Sequence, residues 1–194
     1  MAGHNGHSER HEHQGMTSKG LFDDEEVLRK IGVGQGQTFL DGGCSDGHFS
    51  LAASRLVGEQ GHVYAYDIYR PFLEELQQMV KGNDLKNITV EAVDLRGPIP
   101  VKDSSLDHFF MANVLHGFVY NGEQNPVLKS ALRTLKPGGK LSLIEWDKDF
   151  VDSGPPKDHR LSYDDAKEIL APYGFKPLSV EKSTPRHLLM VFVK

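Results

Sequence analysis

Two patterns of apolar residues alternate along the chain from Asp23 onward. Short apolar runs, typical of buried strands, alternate with stretches in which apolar residues recur every three or four positions, as on one face of a helix. Five such runs precede the C-terminal part of the chain, and they predict strands at 38–41, 62–67, 88–93, 106–114 and 140–146. Strands separated by helices pair in parallel, so this order predicts an α/β fold.

The helical stretches are bounded by residues that favour helix ends. Acidic residues at 23–26 suit the start of a first helix, and Gly32 suits its end. Further helices are predicted at 47–57, 71–81, 127–135 and 162–173.

The last two strands, 178–181 and 188–193, are joined too closely for a helix to lie between them, so they are expected to pair antiparallel. The pattern therefore predicts a Rossmann-like, doubly wound α/β domain. Its seven-stranded sheet is expected to be mostly parallel, with one antiparallel edge strand and helices on both faces.

Residues 1–20 differ from the rest of the chain. They hold four of the ten histidines (His4, His7, His11 and His13) and almost no apolar residues. Such a segment cannot bury enough surface to offset its ordering entropy, so a disordered tail at 1–20 and one domain at 21–194 are expected. The histidines could bind a transition metal, but a solvated tail is the simpler interpretation. Deletion of residues 1–18 is then expected to leave the fold and ligand affinity unchanged.

Composition narrows the class of protein. A chain of 194 residues that is 38% hydrophobic can bury one sizeable core. Its formal net charge of −5 does not favour a nucleic-acid surface, and its single cysteine excludes an internal disulfide and a four-cysteine zinc site. No apolar run approaches the ~20 residues that span a bilayer. These features predict a cytoplasmic protein with no membrane insertion, no nucleic-acid partner and no metal site.

Three acidic residues lie at the ends of predicted strands: Asp41 and Asp67 end theirs, and Asp94 directly follows the strand at 88–93. The carboxyl ends of parallel strands meet at one edge of the sheet, where ligands bind in such folds. A glycine-rich turn follows Asp41 and leads into a helix, so that a ligand can approach the backbone closely. Asp67 comes 20 residues after Gly47, about the spacing of an acid that accepts both hydroxyls of an adenosine ribose. The order of these features predicts an adenosine-containing ligand.

The turn does not have the pattern expected for a nicotinamide cofactor. The spacing G-x-G-x-x-G is absent from it, and Asp46 lies where two phosphate charges would bind. Acidic residues around the turn suit a cofactor that carries an ammonium and a sulfonium group. A nicotinamide enzyme therefore ranks last among the alternatives.

Several segments resemble one enzyme family. The run LDGGCSDG at 40–47 resembles the D-x-G-x-G-x-G motif of class I S-adenosylmethionine (SAM)-dependent methyltransferases, especially small relatives of the ubiquinone/menaquinone-type methylases. One motif glycine is Ser45 in this chain. Residues 99–107, 113–116 and 135–139 resemble further family segments. A C-terminal pattern of a bacterial and archaeal subgroup appears in Gly154, Pro155, Pro156, Arg160, Gly174 and Phe175, and the resemblance covers roughly 22–194.

The resemblance implies SAM as the cofactor, with S-adenosylhomocysteine as the product, and a set of cofactor-binding residues. These are Asp41, Gly42, Gly43, Cys44, Gly47, Asp67, Ile68, Asp94, Leu95 and Asn113. Asp41 would meet the methionine ammonium, Asp67 the ribose hydroxyls and Asp94 the adenine amino group. For each strand-end carboxylate the simpler alternative is a cap on a neighbouring helix.

The acceptor side is predicted after the fourth strand. His116, Phe118, Tyr120 and Trp146 are expected to line the substrate pocket. His116 is the one candidate for a general base, although lining the pocket is the simpler interpretation of this residue. Sulfonium methyl transfer needs no catalytic residue when the acceptor is already nucleophilic, because positioning supplies much of the rate.

The expected activity is methyl transfer from SAM to a small-molecule acceptor by in-line displacement. No N-P-P-Y motif typical of nucleic-acid amino methylases follows the fourth strand. Long lid helices are also absent, which leaves the pocket open or closed by a second subunit in a homodimer. The alternative is a SAM-binding sensor or partner subunit without turnover.

Overall fold

A computed structural model of the chain describes residues 15–150 and 154–194. Seven strands form one sheet: β1 (Thr38–Gly42), β2 (His62–Asp67), β3 (Ile88–Ala92), β4 (Leu106–Ala112), β5 (Leu135–Trp146), β6 (Lys176–Thr184) and β7 (His187–Val193). The helices are α1 (Asp24–Ile31), α2 (His48–Val57), α3 (Arg70–Gly82), α4 (Leu115–Tyr120), α5 (Gln124–Thr134) and α6 (Tyr163–Leu170). Two 3₁₀ turns lie at Lys157–His159 and Ala171–Tyr173.

The strand order in the sheet is β3-β2-β1-β4-β5-β7-β6. Strands β1 to β5 pair in parallel, and β7 pairs antiparallel with both β5 and β6. The predicted mostly parallel, doubly wound sheet is therefore confirmed. Its antiparallel strand lies one position further in than predicted, because β6 pairs with the outer side of β7 and forms the edge.

Helices cover both faces of the sheet, as the fold class requires. One face carries α1, α2 and α3, which bury residues such as Leu28, Ala53 and Leu76. The other carries α5 and α6, which bury residues such as Leu128 and Leu170. Each helix presents one apolar stripe to the sheet, so the two cores lie on opposite sides of it.

Local capping explains where several helices begin and end. The Asp23 side chain accepts from the backbone N–H of Glu26 at the start of α1, and Gly32 ends that helix with φ 88°. Ser162 and Asp165 form a reciprocal capping box at the start of α6. The predicted first helix and the start of the predicted helix at 162–173 are thus confirmed.

One helix was not predicted. The helix α4 has only six residues, too few to show a hydrophobic period, and it follows directly on β4. It buries Leu115, His116 and Gly117, and so it brings His116 to the carboxyl edge of the sheet. Within 15–150 and 154–194, no helix combines the length and the apolar character that a membrane crossing requires.

Candidate functional site

A cavity of about 590 Å³ opens at the carboxyl ends of β1, β2 and β4. Its size is typical of a small-molecule site. Eleven of the predicted site residues line it: Asp41, Gly43, Cys44, Asp67, Ile68, Asp94, Leu95, Asn113, His116, Phe118 and Trp146. Gly42, Gly47 and Tyr120 lie outside its lining. The fold therefore gathers both predicted halves of the site, cofactor side and acceptor side, around one space.

The glycine turn between β1 and α2 is fixed by backbone bonds and close packing. The N–H groups of Gly43 and Cys44 both donate to the carbonyl oxygen of Tyr66. Gly43 has φ 77°, and a Cβ there would lie 2.5 Å from Val114 Cγ2. Glycine at this position thus lets the backbone pass close to Val114, on the α4 side of the cavity.

The two predicted glycines outside the lining have packing partners. A Cβ on Gly42 would lie 3.0 Å from Leu95 Cδ1, and one on Gly47 would lie 2.4 Å from Leu76 Cδ2. Gly47 also has φ 76° and precedes α2 directly. These glycines shape the turn and its packing against α3.

Ser45, which replaces a motif glycine, keeps the left-handed backbone conformation with φ 52°. Its N–H donates to Asp67 Oδ2 at 2.8 Å, and its hydroxyl donates to the carbonyl oxygen of Met16 at 2.6 Å. The hydroxyl therefore ties the glycine turn to the segment before α1. A glycine at this position could not make the second bond.

Asp41 is a buried carboxylate beside the cavity. Asp41 is only 2% exposed, and the hydroxyl of Ser50 donates to its Oδ2 at 2.6 Å. Burial raises the pKa of Asp41 to about 6, although the Ser50 hydrogen bond opposes this shift. Removing a carboxylate from water is costly unless a cation pairs with it, so this position fits a ligand ammonium group.

Asp67, at the end of β2, is held by two backbone donors. Ser45 N–H donates to its Oδ2 and Tyr69 N–H donates to its Oδ1, both at 2.8 Å. Each carboxylate oxygen has a second acceptor site, so ligand hydroxyls can still bond to it. The next residue, Ile68, lines the cavity and is 48% exposed, which leaves apolar surface for a ring to cover.

Asp94 is paired with an arginine that the sequence analysis did not identify. Arg96 Nε donates to Asp94 Oδ1 at 2.9 Å, and Arg96 Nη2 donates to Oδ2 at 2.7 Å. These bonds hold the pKa of Asp94 below its ordinary value. Arg96 also pairs with Glu123 at 3.2 Å, and both residues line the cavity. An adenine amino group at Asp94 would therefore share the carboxylate with Arg96.

A buried pair joins α4 to β5. The backbone N–H of His116 donates to Glu145 Oε1 at 3.2 Å, and His116 Nδ1 lies 2.5 Å from Glu145 Oε2. Both residues are at most 1% exposed. Glu145 was missed, although a lone carboxylate within the apolar run LSLIEW was a signal for it.

Asn113 lies where β4 leads into α4. It has φ 58°, in the left-handed region that non-glycine residues rarely adopt, and its N–H donates to the carbonyl oxygen of Ile144 at 2.7 Å. Its Oδ1 is buried and has no hydrogen-bond partner among the described residues. A strained backbone and an unsatisfied acceptor at a cavity wall are features of ligand sites.

Trp146 forms the wall at the end of β5. The centroids of the Trp146 and His187 rings lie 4.4 Å apart, and the guanidinium carbon of Arg160 lies 5.6 Å from the Trp146 centroid. Gly154 packs against the indole so closely that a Cβ would lie 2.5 Å from it. Tyr120, by contrast, packs against His159 with ring centroids 3.6 Å apart, away from the cavity lining.

The segment before α1 also reaches the cavity. Met16, Thr17, Ser18 and Leu21 line it, and Ser18 Oγ lies 3.1 Å from His48 Nε2. The predicted tail thus includes residues that contact the domain. Its first 14 residues, with the four histidines, lie outside the described residues.

Comparison with known sequences points to one family. A family model described as a methyltransferase domain matches residues 34–171. A demethylmenaquinone methyltransferase from Geobacillus sp. (strain WCH70) is 28% identical over 121 residues, which are 62% of this chain and 50% of that protein. The ubiquinone/menaquinone biosynthesis C-methyltransferase UbiE of Citrobacter koseri is 33% identical over 125 residues, or 62% and 47% of the two chains. The chain spans about half the length of the curated relatives it matches.

Solved structures agree with this assignment. A SAM-dependent methyltransferase from Aquifex aeolicus has a TM-score of 0.80 and 31% identity, and the alignment covers 89% of this chain and 90% of that one. A geranyl diphosphate C-methyltransferase from Streptomyces coelicolor A3(2), with a TM-score of 0.69 and 12% identity, shares the fold over 88% of this chain and 78% of its own. Because the family model spans well over half of the sequence, the chain belongs to the class I SAM-dependent methyltransferase family.

Proposed function

We propose that the chain binds SAM in the cavity at the carboxyl edge of the sheet and transfers its methyl group to a small molecule. The observation that carries this proposal is the buried Asp41 carboxylate beside a cavity that the glycine turn borders. A ligand ammonium group would neutralise that carboxylate. The names of the relatives, a demethylmenaquinone methyltransferase and a UbiE C-methyltransferase, support a small-molecule acceptor.

The cofactor side of the cavity offers a binding partner for each of three parts of SAM: the ammonium group, the ribose and the adenine. Asp41 would hold the ammonium group, Asp67 would accept the ribose hydroxyls, and Ile68 would cover the adenine face. Asp94 would accept from the adenine amino group alongside Arg96. SAM supplies an electrophilic methyl group on sulfur, and the chain has to place the acceptor in line with it and exclude water.

The acceptor side is more apolar. Phe118, Trp146 and Pro155 line it together with His116, which favours an acceptor with a ring or other apolar part. A nucleic-acid acceptor is disfavoured, because the chain has a net charge of −5 and Asp94 and Glu123 add acidic groups to the lining.

Binding to candidate cofactors tests this function. SAM and S-adenosylhomocysteine are expected to bind with Kd values in roughly the micromolar range and to raise the melting temperature, whereas NAD is not. Comparable stabilisation by NAD would contradict the proposal. Incubation with methyl-labelled SAM and a metabolite extract then separates an enzyme from a sensor, since a sensor would bind cofactor and label no acceptor.

Cofactor affinity is expected to depend on pH through Asp41. The pKa of about 6 means that this carboxyl is mostly ionised at pH 7 and mostly protonated at pH 5. Only the ionised form attracts the ligand ammonium, so the affinity for S-adenosylhomocysteine should fall about tenfold between these pH values. Calorimetric titration at both pH values measures this.

The control for that experiment is Asp41→Asn, which keeps the shape of the side chain and cannot ionise. It should bind weakly at both pH values and show little of the pH dependence. An equal pH dependence in the variant would assign the effect to another group.

Deletion of residues 1–18 is now expected to weaken cofactor binding, contrary to the expectation from composition alone. The deletion removes Met16, Thr17 and Ser18 from the cavity lining, together with the bond from Ser45 to Met16. Loss of about one net hydrogen bond and some buried surface corresponds to about fivefold lower affinity.

The matched control deletes residues 1–14 and leaves those contacts in place. Calorimetric titration with S-adenosylhomocysteine should show an unchanged Kd in the shorter deletion. Equal affinities in both deletions would show that the segment does not contribute to the site.

A further inference from the structure

The C-terminal sequence pattern that includes Gly154, Pro155 and Arg160 lies beside the acceptor side of the cavity. Gly154 and Pro155 line the cavity, whereas Arg160 is only 6% exposed and lies outside the lining. A buried guanidinium group is costly unless its N–H groups are bonded. The bonding partners of Arg160 therefore indicate what this residue does.

Arg160 bonds to main-chain carbonyl oxygens at two places along the chain after β5. Its Nη1 donates to the carbonyl oxygen of Asp147 at 3.0 Å and to that of Phe150, and its Nε donates to that of Pro155 at 2.8 Å. These residues lie outside the helices and strands, where main-chain carbonyls need donors from elsewhere. A planar guanidinium has donors in fixed directions, so the bonds hold Pro155 at a set distance from the end of β5.

The same guanidinium group packs on the indole of Trp146. Its central carbon lies 5.6 Å from the ring centroid, within the range of cation–π attraction. Gly154 also packs on this indole: it has φ 97°, and a Cβ there would lie 2.5 Å from Trp146 Cε3. The His187 ring lies 4.4 Å away, centroid to centroid. The orientation of the indole therefore depends on where Arg160 and Gly154 lie.

The chain directly after β5 is also fixed by the β6–β7 hairpin. The Asp147 N–H donates to the carbonyl oxygen of Arg186 at 2.7 Å, and Asp147 Oδ2 lies 3.2 Å from Lys182 Nζ. The guanidinium carbon of Arg186 lies 5.6 Å from the centroid of the Phe150 ring. The hairpin thus fixes this part of the chain, and the bonds of Arg160 fix the cavity wall relative to it.

We propose that Arg160 is a positioning residue for the methyl acceptor, which it serves by holding Pro155 and Trp146 in place as one wall of the acceptor side of the cavity. This inference rests on the proposed function, because it concerns the acceptor of the same site. It goes beyond that function by assigning the shape of the acceptor pocket to a residue outside the cavity lining.

The first test uses the fluorescence of Trp146, which is the single tryptophan of the chain. Arg160→Lys keeps the positive charge but replaces the planar fork with one ammonium group, which cannot bond to all three carbonyl oxygens in the same directions. Quenching of the indole by acrylamide should increase about twofold, because the ring loses the cover of the guanidinium group. Unchanged quenching in the folded variant overturns the proposal.

Two further variants make the fluorescence result specific. Gly154→Ala places a methyl group against the indole and should also change the emission of Trp146. Arg70→Lys is the matched control, because Arg70 is an exposed residue at the start of α3 that does not line the cavity. It should leave the fluorescence unchanged. An equal change in Arg70→Lys would mean that the effect is not specific to Arg160 and would overturn the proposal.

A measurement on the unaltered protein keeps the test independent of whether the variants fold. The Nε–H of Arg160 bonds to the Pro155 carbonyl oxygen in a buried place. Its NMR signal should therefore exchange with water at least about tenfold more slowly than the corresponding signal of the exposed Arg70. Equal exchange rates overturn the proposal, because the guanidinium group would then not hold Pro155.

The kinetic test uses an acceptor found by the labelling screen. A displaced wall weakens the contact with the acceptor and leaves the cofactor side in place. Arg160→Lys should therefore raise the KM for the acceptor about tenfold and leave kcat within about twofold. A merely structural role would lower the melting temperature and kcat and leave this KM unchanged. An unchanged KM for the acceptor overturns the inference.

Binding of S-adenosylhomocysteine to the same samples tests the proposed function separately. Loss of that binding in the unaltered protein would contradict the proposed function, and the fluorescence of Trp146 would still report on Arg160. Retained binding with unchanged fluorescence in Arg160→Lys would instead contradict the role of Arg160 alone.

Discussion

Substitution of Asp67 by alanine should lower the affinity for S-adenosylhomocysteine about 30-fold, or by about 2 kcal/mol, because it would remove the two charge-assisted hydrogen bonds that we propose for the ribose hydroxyls. The effect should be large because the carboxylate is already oriented by Ser45 N–H and Tyr69 N–H. An acceptor that is fixed before binding loses little entropy when the ligand arrives. Calorimetric titration of the purified variant measures the change.

The same two backbone bonds call for a control, since alanine also leaves their donors without an acceptor. Asp67→Asn keeps one acceptor oxygen for the turn and removes the charge. Its melting temperature should lie closer to that of the unaltered protein than the melting temperature of Asp67→Ala does. It should still bind the ligand more weakly than the unaltered protein. Full affinity in a folded Asp67→Ala variant would mean that Asp67 only ties the turn to β2.

If His116 is the general base, its replacement by glutamine should reduce kcat about 100-fold and leave the affinity for S-adenosylhomocysteine nearly unchanged. Glutamine can still bond to Glu145, so the start of α4 should keep its place. The loss should then reflect the missing proton acceptor. Steady-state kinetics with the acceptor from the labelling screen, together with a ligand titration, measure both quantities.

The alternative that the sequence left open, a wall of the pocket, gives a different pattern. Substitution of a pocket-lining residue mainly raises the KM for the acceptor and leaves the pH profile unchanged. Substitution of a general base lowers kcat and abolishes the acidic limb of the profile. The split between KM and kcat therefore decides between the two roles.

Strands and their order along the chain were predictable because apolar runs report burial directly. The order of strands across the sheet was harder, since it depends on which strand competes for an edge. A signal existed: residues 188–193 are almost wholly apolar, as in strands buried on both faces, whereas the residues of β6, KPLSVEKST, are mostly polar. That contrast favours β7 inside and β6 outside.

The acidic residues at strand ends could be predicted because strand position alone brings them together. Asp41 and Asp67 line the cavity for that reason. Arg96 and Met16 reach the same space through loops, whose paths follow from tertiary packing and leave no period in the sequence. Ser45 could be identified as a departure from the motif, but its bond to Met16 depends on where the segment before α1 lies.

The place of β7 also constrains how the sheet assembles. β6 precedes β7 in sequence, yet in the sheet it joins the other strands only through β7. During synthesis β6 therefore has no docking edge until β7 has emerged, and the two strands have to form a hairpin first or add in reverse order. We expect the edge formed by β5 to stay open late in folding, and until β7 pairs with it this edge is exposed to pairing with other chains.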